Sequence, residues 1–461
     1  MTDFKTFYYT IPKKEKIIIN ALSKYSEEVY VVGGAVRDFI VGIKPNDYDI
    51  ATNLHPEEIK HILSKELPAS KIDEVGKSFG IIICDGIEIA TFRGDHYAKN
   101  GNNKDVNITF CETITEDLAR RDLTISALAY NVSKNDGKIV DPFNGRNHIN
   151  QNLISFVGDP FERIKEDPNR MIRVARFAAK MNAVLSFETE RAIRESIHLF
   201  QYIAKERISK EILKAMKIKK ASWFFTVLLD CGLLKDIFPT LDRCVFHDGG
   251  PHHKEDLFQH MMIAGDFIST RCPVLKLSGY LHDIGKYHVY DKVERTFIGH
   301  EYVGEKIVRK ELKDLKFSNE IIDKIAAYVK LHMRNNTHGG EKSVRKMIRA
   351  FQEHGINYRA HTRLKLADRA GNLNKPNFKF GEIKNILLTY EELFTTKEDS
   401  VFSIKDLKVN GNDLIERFNL RPGRIVGDAL RFTLEAVYDK YLINDKEEIL
   451  YYLSENFNFG G

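Results

Sequence analysis

No stretch of this 461-residue sequence approaches the roughly 18–20 consecutive apolar residues that cross a bilayer, so no membrane span is expected. The N-terminal run MTDFKTFYYTIPKKEK also lacks the charged-then-apolar layout of a secretory signal, which makes a cytoplasmic protein the expectation. Cysteine is scarce. The five, at positions 84, 111, 231, 244 and 272, have no metal-site or redox spacing and are expected to be reduced and partly buried. Charge imbalance is small as well: 70 Lys and Arg against 65 Asp and Glu leave a net charge of +5, too mild to establish a nucleic-acid partner without local clusters. With 43% hydrophobic and 29% charged residues, the chain has an ordinary globular composition and length for about two to four domains.

What is present is concentrated first between Glu28 and Asn53, EVYVVGGAVRDFIVGIKPNDYDIATN. A β-rich run, Val29 to Val32, turns at Gly33-Gly34 into a short helix around Val36 to Val41. The chain then passes a loop and returns as a strand, Asp47-Tyr48-Asp49-Ile50. Alternation along a strand puts Asp47 and Asp49 on one face. Two adjacent carboxylates raise each other's pKa unless a cation lies between them. Oxygen-only ligation suits Mg²⁺, completed by substrate phosphates. A glycine pair permits close backbone approach to phosphate, and the following helix offers N–H groups and the positive end of its dipole. A lone GG is usually a turn and a lone D-x-D a solvated loop. In this order, the two point to phosphoryl or nucleotidyl transfer.

The stretch resembles motif A of class II tRNA nucleotidyltransferases and bacterial poly(A) polymerases, GG-x-V-R-D-x-x-x-G leading to D-x-D. The resemblance implies a nucleotidyltransferase-β head of α+β class, a small mixed sheet with helices, followed by all-α neck, HD and tail domains. It also implies that Asp47 and Asp49 are catalytic and hold Mg²⁺, with Gly33, Gly34 and Arg37 at the nucleotide. The expected boundaries are 1–150 for the head, 151–240 for a helical neck, 241–380 for an HD domain and 381–461 for a helical tail. Beyond motif A, strands are expected over 71–75, 79–84 and 87–92, with Asp85-Gly86 as a hairpin turn. The acids are expected near the sheet's edge. Glu88, alternating with Ile87 and Ile89, is either a third catalytic acid or a residue at a solvated strand edge. The polar segment 95–105 is expected to be a loop.

EDLARRDLTISALAY, Glu116 to Tyr130, resembles motif B of the same family, R-R-D-F-T-x-N-A. The match assigns Arg121 to nucleotide phosphates, as a planar guanidinium would suit, and Asp122 to the ribose. Leu123 and Ser126 depart from the family's Phe and Asn. DPFNGR, Asp141 to Arg146, resembles the family's DPFGG turn. EDPNRMIRVARFAAKM, Glu166 to Met181, reads as a helix with Asp167 as N-cap and Pro168 at its first position. Cytosine and adenine both present an amine donor beside a ring-nitrogen acceptor, and guanine and uracil reverse it. An acceptor Asp next to a donor Arg therefore accepts C and A. Asp167 and Arg170 lie one turn apart and resemble the family's E-D-x-x-R motif, with Arg173 and Arg176 matching further family arginines. The bland alternative is a cap plus a solvated basic stripe. AKERISKEILKAMKIKK, Ala204 to Lys220, resembles the neck helix E-R-I-x-x-E, whose basic residues suit RNA phosphates.

From about Phe246 the chemistry changes. His260, His282-Asp283, His300, His332 and Asp368 form an ordered set of imidazoles and carboxylates that suits Mn²⁺, Fe²⁺, Ni²⁺ or Zn²⁺. The set resembles the HD phosphohydrolase superfamily in the version fused to some bacterial CCA-adding enzymes. That implies a transition metal, Ni²⁺ or Mn²⁺, and phosphatase or 2′,3′-cyclic phosphodiesterase activity. The basic helical tail, residues 402–453, is expected to contact the tRNA body or to pack. The partners implied are tRNA, ATP and CTP. The expected reaction is CCA addition to the tRNA 3′ end, with a poly(A) polymerase or a CC-only or A-only enzyme as the rival. A phosphohydrolase or an RNA-binding protein with an inactive head is the alternative of a different class.

Overall fold

In the computed structural model, β1 (Val29–Val32) has all four residues buried. This β-branched and aromatic run suits an interior strand covered on both faces. The structure describes residues 6–74, 80–97, 106–134, 138–251, 253–334, 347, 350–351, 353–374, 404–438 and 441–459. The chain divides into two units, Met1–Ile237 and Phe238–Gly461.

In the first unit β1 pairs antiparallel with β2 (Asp49–Thr52), Val32 opposite Asp49. The remaining strands of that sheet are β3 (Ile72–Glu74), β4 (Ile81–Cys84), β5 (Ile87–Thr91), β8 (Ala129–Asn131) and β9 (Ile139–Val140), giving the order β3-β4-β5-β2-β1-β8-β9. β2 runs parallel to β5, with Ile50 opposite Ile89, and the other pairings are antiparallel, so the sheet is mixed. Asp85 (φ +50°) and Gly86 (φ +85°) make the β4–β5 hairpin turn, both in the left-handed conformation that a two-residue turn of this kind demands.

Two expectations are corrected here. The acids do not sit near the sheet's edge: β2 is the central strand of seven, because β5 crosses to its far side. Nor is all of 95–105 a loop, since β6 (Arg93–Tyr97) pairs antiparallel with β7 (Val106–Phe110), and residues 98–105 lie outside the described ones. The strands expected to reach 75 and to start at 79 also run into undescribed positions.

After the sheet come helices at Pro160–Glu166, Arg170–Met181, Lys205–Ala215 and Ser222–Asp230. The Arg170–Met181 helix packs against the last two of these. It buries Met171, Val174, Ala175 and Ala178, the apolar stripe its sequence period predicts. The second unit is helical where described. Helices Leu257–Phe267, Pro273–Leu281, His300–Asp314, Asn319–Leu331 and Tyr358–Gly371 carry the histidine and aspartate residues. Helices Gly411–Phe418, Arg424–Tyr438 and Lys446–Asn456 close on a core of their own that includes Leu414, Ala429, Ile449 and Leu453. No described helix is long and apolar enough to cross a membrane. The five cysteines are free, three buried and two half-buried.

Candidate active sites

The turn after β1 decides the geometry of the head. Gly33 has φ +70° and ψ −118°, and a Cβ there would lie 2.6 Å from Nη1 of Arg121. The glycine therefore serves two needs, an unusual backbone and the close approach of a guanidinium from motif B. Arg121 is steadied by Asp117 Oδ2 at 3.3 Å and by the Ser126 carbonyl at 3.4 Å. Its charge reaches Asp49: loss of water raises that carboxyl above the usual range, Arg121 opposes the rise and Asp47 adds to it. Asp47 and Asp49 are exposed while Tyr48 between them is buried, the alternation expected of the strand, although β2 itself begins only at Asp49. One step back from the Ile50–Ile89 pair, Glu88 stands beside Asp49 on the same open face. Glu88 is thus an interior-strand residue, not one at a strand edge.

Arg37 of motif A is engaged within the protein. Its guanidinium is buried at 3% exposure and bonds Asp38 Oδ1 (2.7 and 2.9 Å) and the Ser126 hydroxyl (3.2 Å). It braces the turn beside Gly34. Ser126, where the family has Asn, is thereby occupied.

Asp167 ends the preceding helix with extended backbone and still makes the capping bond, its Oδ1 accepting from Asn169 N–H at 3.1 Å, while regular helix begins only at Arg170 and the Asn169 side chain makes no cap bond. Pro168 breaks the chain between the two helices, so Asp167 and Arg170 belong to a helix–turn–helix corner and not to one continuous face. Arg207 grips both Asp167 oxygens, at 2.9 and 2.7 Å. Arg170 is buried and donates to Glu166 at 2.5 Å and to the Arg163 carbonyl at 2.9 Å. Each half of the expected base-reading pair is thus held by a separate charged neighbour. Arg173 pairs with Asp122 at 2.5 Å, joining motif B to this helix. Burial alone would raise the Asp122 carboxyl, but Arg173 and then Arg170 more than offset it, so its pKa falls. Arg176 pairs with Glu211. The arginine stripe is therefore not solvated, and Arg207 and Glu211 of the neck helix face other protein groups.

In the second unit the six predicted residues converge. Asp283 divides its oxygens. Oδ2 lies 3.3 Å from Nε2 of both His260 and His282, and Oδ1 lies 3.2 Å from Nε2 of both His300 and His332. Asp368 Oδ1 is 3.3 Å from His260 Nε2 and 3.7 Å from His282 Nε2. His282, His300 and His332 each turn Nδ1 to the carbonyl three residues earlier, of Gly279, Phe297 and Val329, at 2.8, 2.8 and 2.6 Å. Donation of the Nδ1 proton there leaves the Nε2 lone pairs facing the carboxylates, the tautomer a metal ligand needs. His260 turns Nδ1 toward Glu255 Oε1, 3.6 Å away. The His282-Asp283 turn can meet the His300 helix because of Gly285: a Cβ there would fall 2.0 Å from the His300 carbonyl oxygen.

The family pattern described as "Poly A polymerase head domain" matches residues 29–155. Patterns for the RNA-binding part of polymerase A and for the second domain of tRNA nucleotidyltransferases match 185–245 and 300–453. The chain is 31% identical over 442 residues to the CCA-adding enzyme of Anoxybacillus flavithermus, covering 94% of both proteins. It belongs to the CCA-adding enzyme and poly(A) polymerase family. Poly(A) polymerase I of Haemophilus influenzae is 34% identical over 265 residues, 55% of this chain and 56% of that one. In fold, the chain resembles the Bacillus stearothermophilus CCA-adding enzyme in complex with CTP, with a TM-score of 0.63 at 24% identity over 96% of each chain. It also resembles the Thermotoga maritima enzyme complexed with tRNA, with a TM-score of 0.54 at 18% identity over 99% of each chain.

Within this family frame, sequence reasoning missed Arg207, Glu255, His253 and Lys286. Lys286 follows directly in HDIGK and places Nζ 2.5 Å from Asp283 Oδ2. Glu255 is buried and accepts a bond from His253 Nδ1 at 2.5 Å. Burial would raise the Glu255 carboxyl, but the nearby His260 imidazole and the bond from His253 hold it at about 2. Its only signal was an acid five residues before His260, which fits neither helix nor strand periodicity.

Proposed function

We propose that the protein is a template-independent tRNA nucleotidyltransferase that adds CCA from CTP and ATP to the tRNA 3′ end. One observation carries the reading: Asp47 and Asp49 stand exposed at the centre of the sheet, beside the Gly33 turn and under the charge of Arg121. The all-oxygen donors and the raised Asp49 carboxyl fit Mg²⁺, held by Asp47 and Asp49, with Glu88 as a third acid on the same face. The ion would supply Lewis-acid stabilisation of charge on the attacking and leaving oxygens. Arg121 holds the triphosphate, Gly33 and Gly34 let the backbone approach it, and Asp122, fixed by Arg173, faces the ribose. The tRNA 3′ hydroxyl attacks the α-phosphorus, the bond to the β-phosphate oxygen breaks, and pyrophosphate leaves. Asp167 and Arg170, set by Arg207 and Glu166, read the base, with Arg173 and Arg176 fixing the helix behind them. The near full-length likeness to a CCA-adding enzyme favours CCA addition over poly(A) synthesis, since the poly(A) polymerase matches about half of the chain. The test is to sequence products made from tRNAs ending before CCA, after C and after CC with all four NTPs present. Long A tracts would overturn the assignment.

A second activity is favoured by the convergence of His260, His282, Asp283, His300, His332 and Asp368. Four imidazole nitrogens and two carboxylates, with Asp283 able to bridge, fit a pair of transition-metal ions such as Ni²⁺ or Mn²⁺. Those ions would activate water. We assign this centre to phosphate-ester hydrolysis: water adds to phosphorus, the P–O bond to ribose breaks, and that oxygen takes the proton. A 2′,3′-cyclic phosphate at a tRNA end has no free 3′ hydroxyl, and opening it is the first step in restoring one. Replacing His282 and Asp283 by Ala should abolish hydrolysis of 2′,3′-cyclic AMP and leave addition to a clean tRNA end nearly intact. No hydrolysis by the wild-type protein with Ni²⁺, Mn²⁺ or Mg²⁺ would reduce the centre to a structural role.

A further inference from the structure

Near the start of the chain the run FYYT forms a single helical turn, Phe7–Thr10, that packs against the residue between the two catalytic acids. Phe7 is buried, with its ring centroid 4.8 Å from that of Phe39, 5.1 Å from Tyr130 and 6.2 Å from Tyr48. Phe39 belongs to the helix Gly34–Ile40, Tyr130 to β8, and Tyr48 stands between Asp47 and Asp49. The Tyr48 hydroxyl donates to the Thr10 carbonyl at 3.0 Å and lies 3.3 Å from the Thr10 hydroxyl, which itself donates to the Phe7 carbonyl at 2.7 Å. The chain after the turn is tied to the sheet as well. In the helix Lys13–Ser23, Lys14 donates to the Asp85 carbonyl of the β4–β5 turn, and just past that helix Tyr25 donates to Glu66 at 2.9 Å. The turn touches a part of the site that the sheet ladders do not reach. The β1–β2 ladder ends at the Val32–Asp49 pair, and β2 pairs with β5 from Ile50 on, so Asp47 and Tyr48 precede the first ladder pair. Tyr48 is buried where Asp47 and Asp49 face out, and by alternation a shift of its ring carries both carboxylates.

We propose that Phe7, Thr10 and Tyr48 form a brace that sets the spacing of Asp47 and Asp49 for Mg²⁺, a reading that rests on the nucleotidyl-transfer assignment above. They are positioning residues and act through the two acids. Carboxylates that share a metal must be held within about 0.5 Å of their productive geometry, and a strand entry that lies before its ladder does not supply that by itself. The Tyr48 hydroxyl bond fixes the ring along its length, and Phe7 fixes the turn that accepts the bond. Phe7 has a second contact of consequence. Its partner Phe39 is on the helix that Gly34 opens, so one buried ring stands between the strand that holds the metal and the helix whose start approaches phosphate. The brace therefore keeps the metal-holding and phosphate-holding halves of the site at one separation.

The experiment uses the full-length protein with Tyr48→Phe, which keeps the ring and removes its bond to Thr10, and with Phe7→Leu, which loosens the turn and leaves Tyr48 in place. Ile59→Val removes a buried methylene from the helix Pro56–Glu66 and is the control for stability alone. Melting curves, the Mg²⁺ dependence of CTP incorporation and Mn²⁺ calorimetry are read for each. The calorimetry is done in a His282→Ala, Asp283→Ala background, so that the histidine–aspartate centre does not contribute. All three substitutions should lower Tm by about 2–6 °C. Only Tyr48→Phe and Phe7→Leu should also raise the Mg²⁺ concentration for half-maximal rate and weaken Mn²⁺ binding, each by about tenfold. At saturating Mg²⁺ their KM for CTP should be unchanged and their kcat restored to within about twofold. Wild-type Mg²⁺ dependence and Mn²⁺ affinity in both variants, with Tm lowered as in the control, overturn the brace and make the three residues core packing. A wild-type protein that incorporates no nucleotide overturns the transferase assignment, and the Mn²⁺ affinities then decide the brace by themselves.

Discussion

Replacing Gly33 by Ala separates two consequences that the structure joins at one atom. The backbone there, at φ +70° and ψ −118°, is a conformation in which a side chain costs about 1–3 kcal/mol. For a unit of this size each kcal/mol lowers Tm by about 2–4 °C, so a fall of about 2–12 °C is expected. Separately, the new Cβ would lie 2.6 Å from Arg121 Nη1. Because that is the end of a flexible side chain, Arg121 gives way and the backbone does not. Losing a charged hydrogen bond to phosphate is worth about 1.5–3 kcal/mol, or about 10–150-fold in rate. The assay is single-turnover CTP incorporation, with melting curves, for Gly33→Ala, Arg121→Ala and the double variant. In the Arg121→Ala background the Tm loss from Gly33→Ala should persist, while its further effect on rate should shrink to within about threefold. An equal rate loss in both backgrounds would refute the contact argument and leave the glycine acting on the phosphate directly.

Three further outcomes follow from the same geometry. Loss of water and the neighbouring Asp47 raise the Asp49 pKa above 3.8 despite Arg121, so its ionised form is less favourable in the folded chain than in the unfolded one. Asp49→Asn should therefore raise Tm in Mg²⁺-free buffer near neutral pH. That gain should fade as pH falls through the raised pKa and vanish below 3.8, where both states hold the proton. The same variant should abolish incorporation; a gain in Tm that is identical at neutral and acid pH would contradict the sign. Arg207→Ala releases the carboxylate of Asp167, so misincorporation of UTP and GTP should rise more than Tm falls, as read by sequencing products made with mixed NTPs. Glu255→Ala removes the carboxylate facing His260 Nδ1. It should weaken Mn²⁺ binding by about 10–100-fold in calorimetry, the usual cost of losing such an orienting group, and unchanged affinity would make Glu255 a packing residue.

The parts of the molecule that were legible in the sequence are those written in short-range pattern. Period-two alternation put Asp47 and Asp49 on one face, and the structure has them exposed on either side of buried Tyr48. The six histidine and aspartate residues were legible for another reason, since few other arrangements use that many imidazoles in that order, and they do converge. What sequence could not show is which distant partner satisfies a charge. Arg173 finds Asp122 from 51 residues away, Arg207 finds Asp167 from 40 and Arg176 finds Glu211 from 35. A three-residue arginine period looks the same whether the guanidiniums face water or acids on another helix.

The capping assignment held, but it left out a distant partner for a related reason. Asp-Pro is as good a helix start as any local rule offers, but an Asp that caps gives an oxygen to backbone N–H groups and has less left for a guanidinium. Here regular helix starts at Arg170, Asp167 Oδ1 accepts the capping bond from Asn169 N–H at 3.1 Å, and both of its oxygens also meet Arg207. The carboxylate is therefore oriented by a side chain as well as by the helix end. A group that must present a lone pair to one base pattern and refuse another gains from that, because a planar fork fixes the plane of the carboxylate as well as its position.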